Sequence, residues 1–348
     1  MSTLRVGVIM GGRGTEREVS LSSGRTICDH LDISRYEVIP LFQRADGALF
    51  LLPWGFLHRG KTTDFEHRLE AEAEKITWDS LKDRIDFMYT AMHGRYAEDG
   101  TLQGFLELLQ IPYLGSKVYA SALGMDKIMQ KKILAAQGIK VPKGIVVHPH
   151  ALKNASLSID LLDAIAGLGY PCVVKPHKEG SSMGVSVVNS QEELLPALSA
   201  ASKIDGHSDQ SVLVEEYITG MEFSCITITD TRTGECVPFT PTEIVLDPTK
   251  QFFDYEQKYM PGKSTKFTPA RCSQDHLKTI QRTAVAVTKA LGFRTLSRID
   301  GFLMADGSVV VTDPNSLAGM APSSFVFRQA AEHGMSHRVF INHLIETE

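Results

Sequence analysis

No CxxC pair occurs among the five cysteines, Cys28, Cys172, Cys225, Cys236 and Cys272. An odd, scattered set argues against a disulfide framework or a zinc site and for small buried thiols in a reducing compartment. No stretch approaches the ~20 apolar residues that span a bilayer. The apolar opening from Leu4 to Met10 is short and runs into Gly11-Gly12-Arg13 and several charges, so it reads as a buried strand rather than a signal sequence. Neither sign of charge dominates: 36 Lys and Arg face 41 Asp and Glu, for a net charge of −5. That balance excludes a general attraction to nucleic acid or to an anionic membrane. Any anionic ligand must be met by a local cluster of basic groups. There is no fixed-period repeat and no low-complexity segment. The GxxxxGK[ST] phosphate loop is missing, and no GxGxxG opens a helix after a strand. These absences predict a cytoplasmic protein with small-molecule partners.

What is present is an ordinary globular composition, with 43% hydrophobic and 22% charged residues over 348 positions. That length suggests two or three lobes at ~100–200 residues each. In the first lobe, 1–120, strand patterns at 5–10, 36–42, 87–92 and 111–114 alternate with helical patterns at 16–31 and 101–110. This order predicts an α/β lobe with a parallel sheet covered on both faces. The second lobe, 121–219, opens with a helix at 126–137 capped by Gly138. It continues with strands at 171–176, 185–188 and 212–217. The small-residue loop from Gly180 to Gly184 makes the first two an antiparallel hairpin suited to cover a ligand, unlike the strand–turn–helix of a phosphate loop. The third lobe, 220–348, holds strands at 222–229, 297–304 and 308–312 and a helix at 276–291. Ala305-Asp306-Gly307 is a hairpin turn. Residues 247–266 mix Pro, Gly, Lys and aromatics without periodicity, and a loop that long is expected to act as a lid.

Several residues stand in settings that suggest chemistry. Gly11-Gly12-Arg13-Gly14 resembles part of a dinucleotide fingerprint, but its spacing fails and a tight turn into the helix serves equally well. The helix N-terminus after it suits a carboxylate. Lys175 ends an apolar strand, where an unpaired charge is expensive, so it calls for an anionic partner unless it snorkels to the surface. Lys127 and Lys258 also have distinctive surroundings, although a solvated helix face would account for Lys127. Asp300 lies on one strand of the hairpin, and Asp313 and Asn315 follow the other, so the three converge. Hard oxygen donors of this kind suit magnesium, while turn chemistry or salt bridges remain an alternative. His93 falls at the end of a parallel strand, where ligands of open sheets gather, or it is a satisfied structural histidine.

Taken in order, the motifs resemble those of the D-alanine–D-alanine ligases of the ATP-grasp superfamily. The likeness runs from about Val6 to about Met335. It rests on Gly11-Gly12, the run from Thr15 to Gly24, the run from His93 to Gly104, Leu114-Gly115-Ser116 and Met125-Asp126-Lys127. Further matches are Val174-Lys175-Pro176, Glu179 to Ser182, Glu215-Glu216-Tyr217, Glu222-Phe223, Phe253 to Glu256 with Lys258-Tyr259, and Arg298-Ile299-Asp300.

The resemblance implies an ATP-grasp fold, in which an N-terminal lobe joins two lobes that clamp ATP. It implies ligation of two D-alanines through an acylphosphate, for peptidoglycan precursors of the cell wall. Lys127, Lys175 and Lys258 would contact the ATP phosphates. Glu215 and the backbone of Tyr217 and Ile218 would hold adenine, and Glu222 the ribose. Asp300, Asp313 and Asn315 would ligate two magnesium ions, for which manganese can substitute. Glu16 would anchor the ammonium of the first D-alanine, in a network with Ser181 and Tyr259. His93 would lie near that substrate's carboxylate. Arg298 and the Gly319 backbone would stabilise the tetrahedral intermediate, and Ser324 would bind the second substrate's carboxylate. Family members are often homodimers through the N-terminal lobe.

The sequence departs from the family pattern at three places. Asp313 stands where Glu is usual, Ala318 where Pro commonly precedes the glycine, and Phe325 where Leu is common. All three bear on the metals and the acceptor. D-lactate, D-serine or another amino acid as acceptor, and a catalytically weak nucleotide-binding protein, are the rival readings. Tyr259 favours D-alanine over D-lactate.

Overall fold

β1 (Leu4–Gly11) is apolar on both faces and almost wholly buried, as a strand at the centre of a parallel sheet must be. It pairs in parallel with β2 (Tyr36–Gln43) on one side and β5 (Phe87–Thr90) on the other. The computed structural model describes residues 3–152, 157–180, 182–204, 210–246 and 264–348. Two short strands, β3 (Leu49–Leu51) and β4 (Glu74–Ile76), extend the first sheet antiparallel in the order β4-β3-β2-β1-β5. The sheet is therefore mixed rather than purely parallel. Runs of three residues carry too little periodicity to be seen in a sequence. The strand expected at 111–114 is a single bridge between Tyr113 and Met88.

The second sheet is antiparallel, in the order β6 (Gly144–Val147), β9 (Val212–Glu216), β7 (Cys172–Pro176) and β8 (Ser186–Val188). The expected hairpin is its β7–β8 pair. The third sheet runs β13 (Ser264–Phe267), β12 (Thr242–Leu246), β10 (Met221–Thr229), β14 (Leu296–Leu303) and β15 (Val309–Asn315), with β11 (Cys236–Pro238) on β10. β13 includes positions 264–266, which the sequence suggested were loop, because it pairs along β12 from Leu246↔Ser264 to Glu243↔Phe267. The rest of that expected lid, 247–263, lies outside the described residues.

The helices that matter here are α1 (Arg17–His30), α2 (Thr101–Leu108), α3 (Val118–Met125), α4 (Lys127–Ala136), α5 (Ile159–Ala166), α6 (Gln191–Ser202), α7 (Gln274–Leu291), α8 (Phe325–Glu332) and α9 (His337–Glu346). α7 buries Leu277, Ile280, Ala284, Val287 and Leu291, the one-sided stripe of an amphipathic helix. Ser273 caps its start, and Gly292, with φ of 69°, ends it. α4 begins at Asp126, whose carboxylate accepts from the Met129 N–H and lies 2.6 Å from His177 Nε2, tying the helix to the turn after β7.

One core cluster joins β1 (Val6, Val8, Met10) to α9 (Phe340, Ile341, Leu344) and to Ile226 and Leu296 of the third sheet. Asn342 of α9 accepts from the Asp32 N–H and donates to the His30 carbonyl, fastening α9 to the end of α1. A second cluster packs Leu123 of α3 and Leu134 of α4 against α7 and Ile299 of β14. Among the described residues, no helix is long and apolar enough to cross a membrane.

Candidate active site

A cavity of about 450 Å³ opens between the second and third sheets. Lys127, Lys175, Glu215, Tyr217, Ile218, Glu222, Asp300 and Asp313 all line it. Lys175 is carried at the end of β7, and its Nζ lies 2.8 Å from Glu215 Oε2 on the neighbouring strand β9. The anionic partner demanded by a lysine ending an apolar strand is thus Glu215. The other oxygen of Glu215 lies 2.6 Å from Nζ of Lys131, which also donates to the Thr312 carbonyl at 3.1 Å. Burial opposes ionisation of Glu215, but the two ammonium groups outweigh it and hold its pKa below the usual carboxylate value. Burial likewise opposes the charge on Lys175, yet Glu215 and Asp313 raise its pKa above the ordinary lysine value. Lys131 is pulled the other way, because burial exceeds the help from Glu215 and Lys175 repels it. Lys127, at the first turn of α4, donates to the Glu179 carbonyl. Sequence reasoning missed Lys131. The available signal was its i,i+4 spacing from Lys127, which places both lysines on one face of α4.

A smaller chamber, about 40 Å³, adjoins this cavity and shares Lys127, Glu179 and Asp313 with it. Glu16, His93, Glu98, Arg298, Asn315 and Gly319 also face it. Glu16 caps the N-terminal end of α1 and is buried. Its carboxylate is pinched between two glycines. A Cβ at Gly94 would stand 2.2 Å from Glu16 Oε2, and one at Gly180 would stand 2.7 Å from it. His93 lies 3.0 Å from the Ser23 hydroxyl of α1, which accepts from the Met320 N–H. Burial, with a smaller push from Arg298, lowers the His93 pKa to about 4, so the ring is neutral at neutral pH. Glu98 accepts from the Gly94 N–H at 2.6 Å. Its burial and the nearby Glu16 carboxylate raise its pKa well above the usual range. Glu98 belongs to the motif that runs from His93 to Gly104, but nothing in the sequence gives it a role. Only the fold brings its carboxyl next to Glu16.

The β14–β15 hairpin supplies the floor. Its register sets Arg298 opposite Asn315 and Asp300 opposite Asp313, with a shift just after Asp300. Residues two apart share a face of a strand, so all four side chains project the same way. Thr312 is the extra residue of the resulting bulge, a device that re-aims neighbouring side chains. Arg298 Nε donates to Asp300 Oδ2 at 3.0 Å, and Ser224 donates to Asp300 Oδ1 at 2.7 Å. Asn315 donates to the Asp313 and Arg298 carbonyls. No group of three His, Cys, Asp or Glu side chains forms a protein-only metal cage among the described residues. The donors that do meet are two carboxylates and one amide, with Asp300 and Asp313 lining the large cavity and Asp313 and Asn315 the adjoining chamber. This set fits magnesium, which usually takes one or two carboxylates and completes its shell with phosphate oxygens and water.

A third cavity, about 440 Å³, lies beyond Arg298, Asp300 and Gly319. Ser324 and Phe325 line its far wall. Ser324 is the N-cap of α8 and makes no side-chain cap bond, so its hydroxyl and the helix N-terminus both face a space suited to a carboxylate. The Lys266 ammonium sits 4.9 Å from the centre of the Phe325 ring.

The chain matches the family described as "D-ala D-ala ligase N-terminus" over residues 5–116 and "D-ala D-ala ligase C-terminus" over residues 133–346. It belongs to the D-alanine–D-alanine ligase family. A D-alanine–D-alanine ligase from Geobacillus thermodenitrificans is 33% identical over 98% of this chain and 94% of its own length. The VanG D-Ala:D-Ser ligase of Enterococcus faecalis superposes with a TM-score of 0.82 at 29% identity, over 99% of both chains. The D-alanine–D-alanine ligase of Bacillus anthracis complexed with ATP gives 0.73 at 29% identity, covering 99% of this chain and 97% of that one. The fold is accordingly the ATP-grasp fold of this family.

Three of the family residues singled out in the sequence, Ser181, Lys258 and Tyr259, lie outside the described residues. The three departures from the family pattern take distinct places in the site. Asp313 is shared by the large cavity and the chamber, while Phe325 opens α8 at the third cavity. Ala318 is buried beside Gly319 and also borders the third cavity.

Proposed function

We propose that this chain is an ATP-dependent ligase that joins two D-alanines to form D-alanyl-D-alanine, releasing ADP and phosphate, for peptidoglycan precursors. The observation that carries this reading is the row of three adjoining spaces with common walls. A nucleotide-sized cavity meets a small chamber at Asp313, and that chamber meets a third cavity at Arg298 and Gly319.

That arrangement supports the following chemistry. A carboxylate is a poor acyl donor, because its leaving group would be oxide. Phosphorylation of the first D-alanine gives an acylphosphate, from which phosphate leaves readily when the second amine attacks. Lys127 and Lys175, with Lys258, are proposed to hold the phosphates. The backbone of Tyr217 and Ile218 and the strand end at Glu215 are proposed to hold adenine, and Glu222 the ribose. Asp300, Asp313 and Asn315 would hold magnesium, which when bound neutralises charge on the transferred phosphoryl group. Glu16 receives the ammonium of the first substrate, supported by Ser181 and Tyr259. His93, held neutral, lies near its carboxylate without adding a charge there. Arg298 and the Gly319 N–H meet the oxyanion of the second step. Ser324 and the N-terminal end of α8 receive the second carboxylate.

We further propose three lobes, 1–120, 121–219 and 220–348, a cytoplasmic location and a homodimer. The dimer rests on likeness to the family alone, and light scattering of the purified chain tests it. The activity is tested by phosphate release with ATP, magnesium and D-alanine, with product mass read alongside. No release with any D-amino acid would sink the ligase reading. Parallel reactions with added D-serine or D-lactate identify the acceptor.

A further inference from the structure

Lys131 does not line the nucleotide-sized cavity, yet it reaches the same carboxylate as Lys175, which does. Glu215 is 1% exposed and both of its oxygens face an ammonium group. A buried carboxylate left without a partner is costly. If Lys175 were its only cation, turning Lys175 toward a phosphate would strand Glu215, and the stranded charge would pull the lysine back. Lys131 removes that penalty. It reaches Glu215 from α4 without lining the cavity and is braced by the Thr312 carbonyl at 3.1 Å. The trio carries two positive charges and one negative, so it presents a net positive charge to an anion.

We propose that Lys131 is a positioning residue that keeps Glu215 paired while Lys175 is shared with the phosphates of the nucleotide. Resting on the ATP reading above, this assigns a role in phosphate binding to a residue that touches no ligand. Thr312 is the bulged residue next to Asp313, so the same ammonium also braces the strand that carries a metal-site candidate.

The test is a double-mutant cycle on the full chain, read as ATP dissociation constants by calorimetry in the presence of magnesium. K131M in the natural background should weaken ATP binding about tenfold, the scale of one lost charge-assisted hydrogen bond. In the K175M background the same change should matter by less than about twofold, because no lysine remains to be shared. K131R, which keeps the charge, should restore most of the affinity. K131Q serves the same cycle if methionine is not tolerated. Equal weakening in both backgrounds would mean that Lys131 is only scaffold, and no weakening in the natural background would also overturn the proposal. Failure of the unaltered chain to bind ATP would overturn the nucleotide reading and this inference with it.

Discussion

At the scale of single residues, the site depends on what two glycines leave out. Glu16 occupies space that a Cβ at Gly180 would enter at 2.7 Å. Unlike Gly94, whose φ is 73°, Gly180 is not in the left-handed region, so G180A tests displacement of Glu16 without backbone strain. The expected result is a fall in kcat/KM for D-alanine of about a hundredfold, the scale of a misplacement near 1 Å, with the unfolding midpoint little changed. Unaltered kinetics would show that Glu16 has room to move. His93 makes a pH prediction. Its folded pKa of about 4 lies below the ordinary 6.5. The neutral ring's contribution to stability is therefore fully present above pH 6.5 and is lost as pH falls through about 4. H93Q should flatten the decline in urea midpoint across that window relative to the parent chain, and parallel profiles would refute the assignment. Residues of this kind were only partly legible in the sequence. Glu16 and His93 sit in recognisable motifs, whereas Lys131 is one of many helix-face lysines until β9 brings Glu215 to it.

At the scale of elements, the β14–β15 hairpin was legible because its turn and alternating strands carry local signals. Ser308 N–H bonds to Asp306, and Gly307 takes the left-handed φ of 79° that the turn needs. Not legible was the register shift that leaves Thr312 unpaired and aligns Asp300 with Asp313. Bulges depend on pairing between strands, which composition does not encode. Convergence of these two carboxylates leads to a prediction about metal. D313N keeps the shape and removes one charge, so it should slow phosphate release by upward of about a hundredfold, since a catalytic metal supplies several kcal/mol. It should also raise the magnesium concentration needed for half-maximal activity. A D313N enzyme with the parental magnesium titration would exclude Asp313 as a ligand. The short strands β3 and β4 escaped the sequence for a different reason: three residues cannot establish a period of two.

At the scale of the whole molecule, the N-terminal sheet and the last helix share one core, an association that no local pattern announces. Asn342 makes the joint specific, bonding to both Asp32 and His30 at the end of α1, whose other end carries Glu16. N342A should lower stability by about 1–3 kcal/mol, since it leaves partly buried backbone groups without their partner. Chemical denaturation checks this, and a midpoint equal to that of the parent would show that packing alone holds α9. The parallel strands around β1 were readable from their apolar runs, but the face they turn to α9 is completed only by residues from the far end of the chain.

That shared core has a consequence for biosynthesis. A ribosome releases β1 long before α9, so the sheet around β1 emerges with part of its apolar face uncovered and waits for its closing helix. Nascent chains therefore carry an adhesive surface until α9 emerges. The same delay keeps an unfinished polypeptide from assembling the full set of catalytic walls.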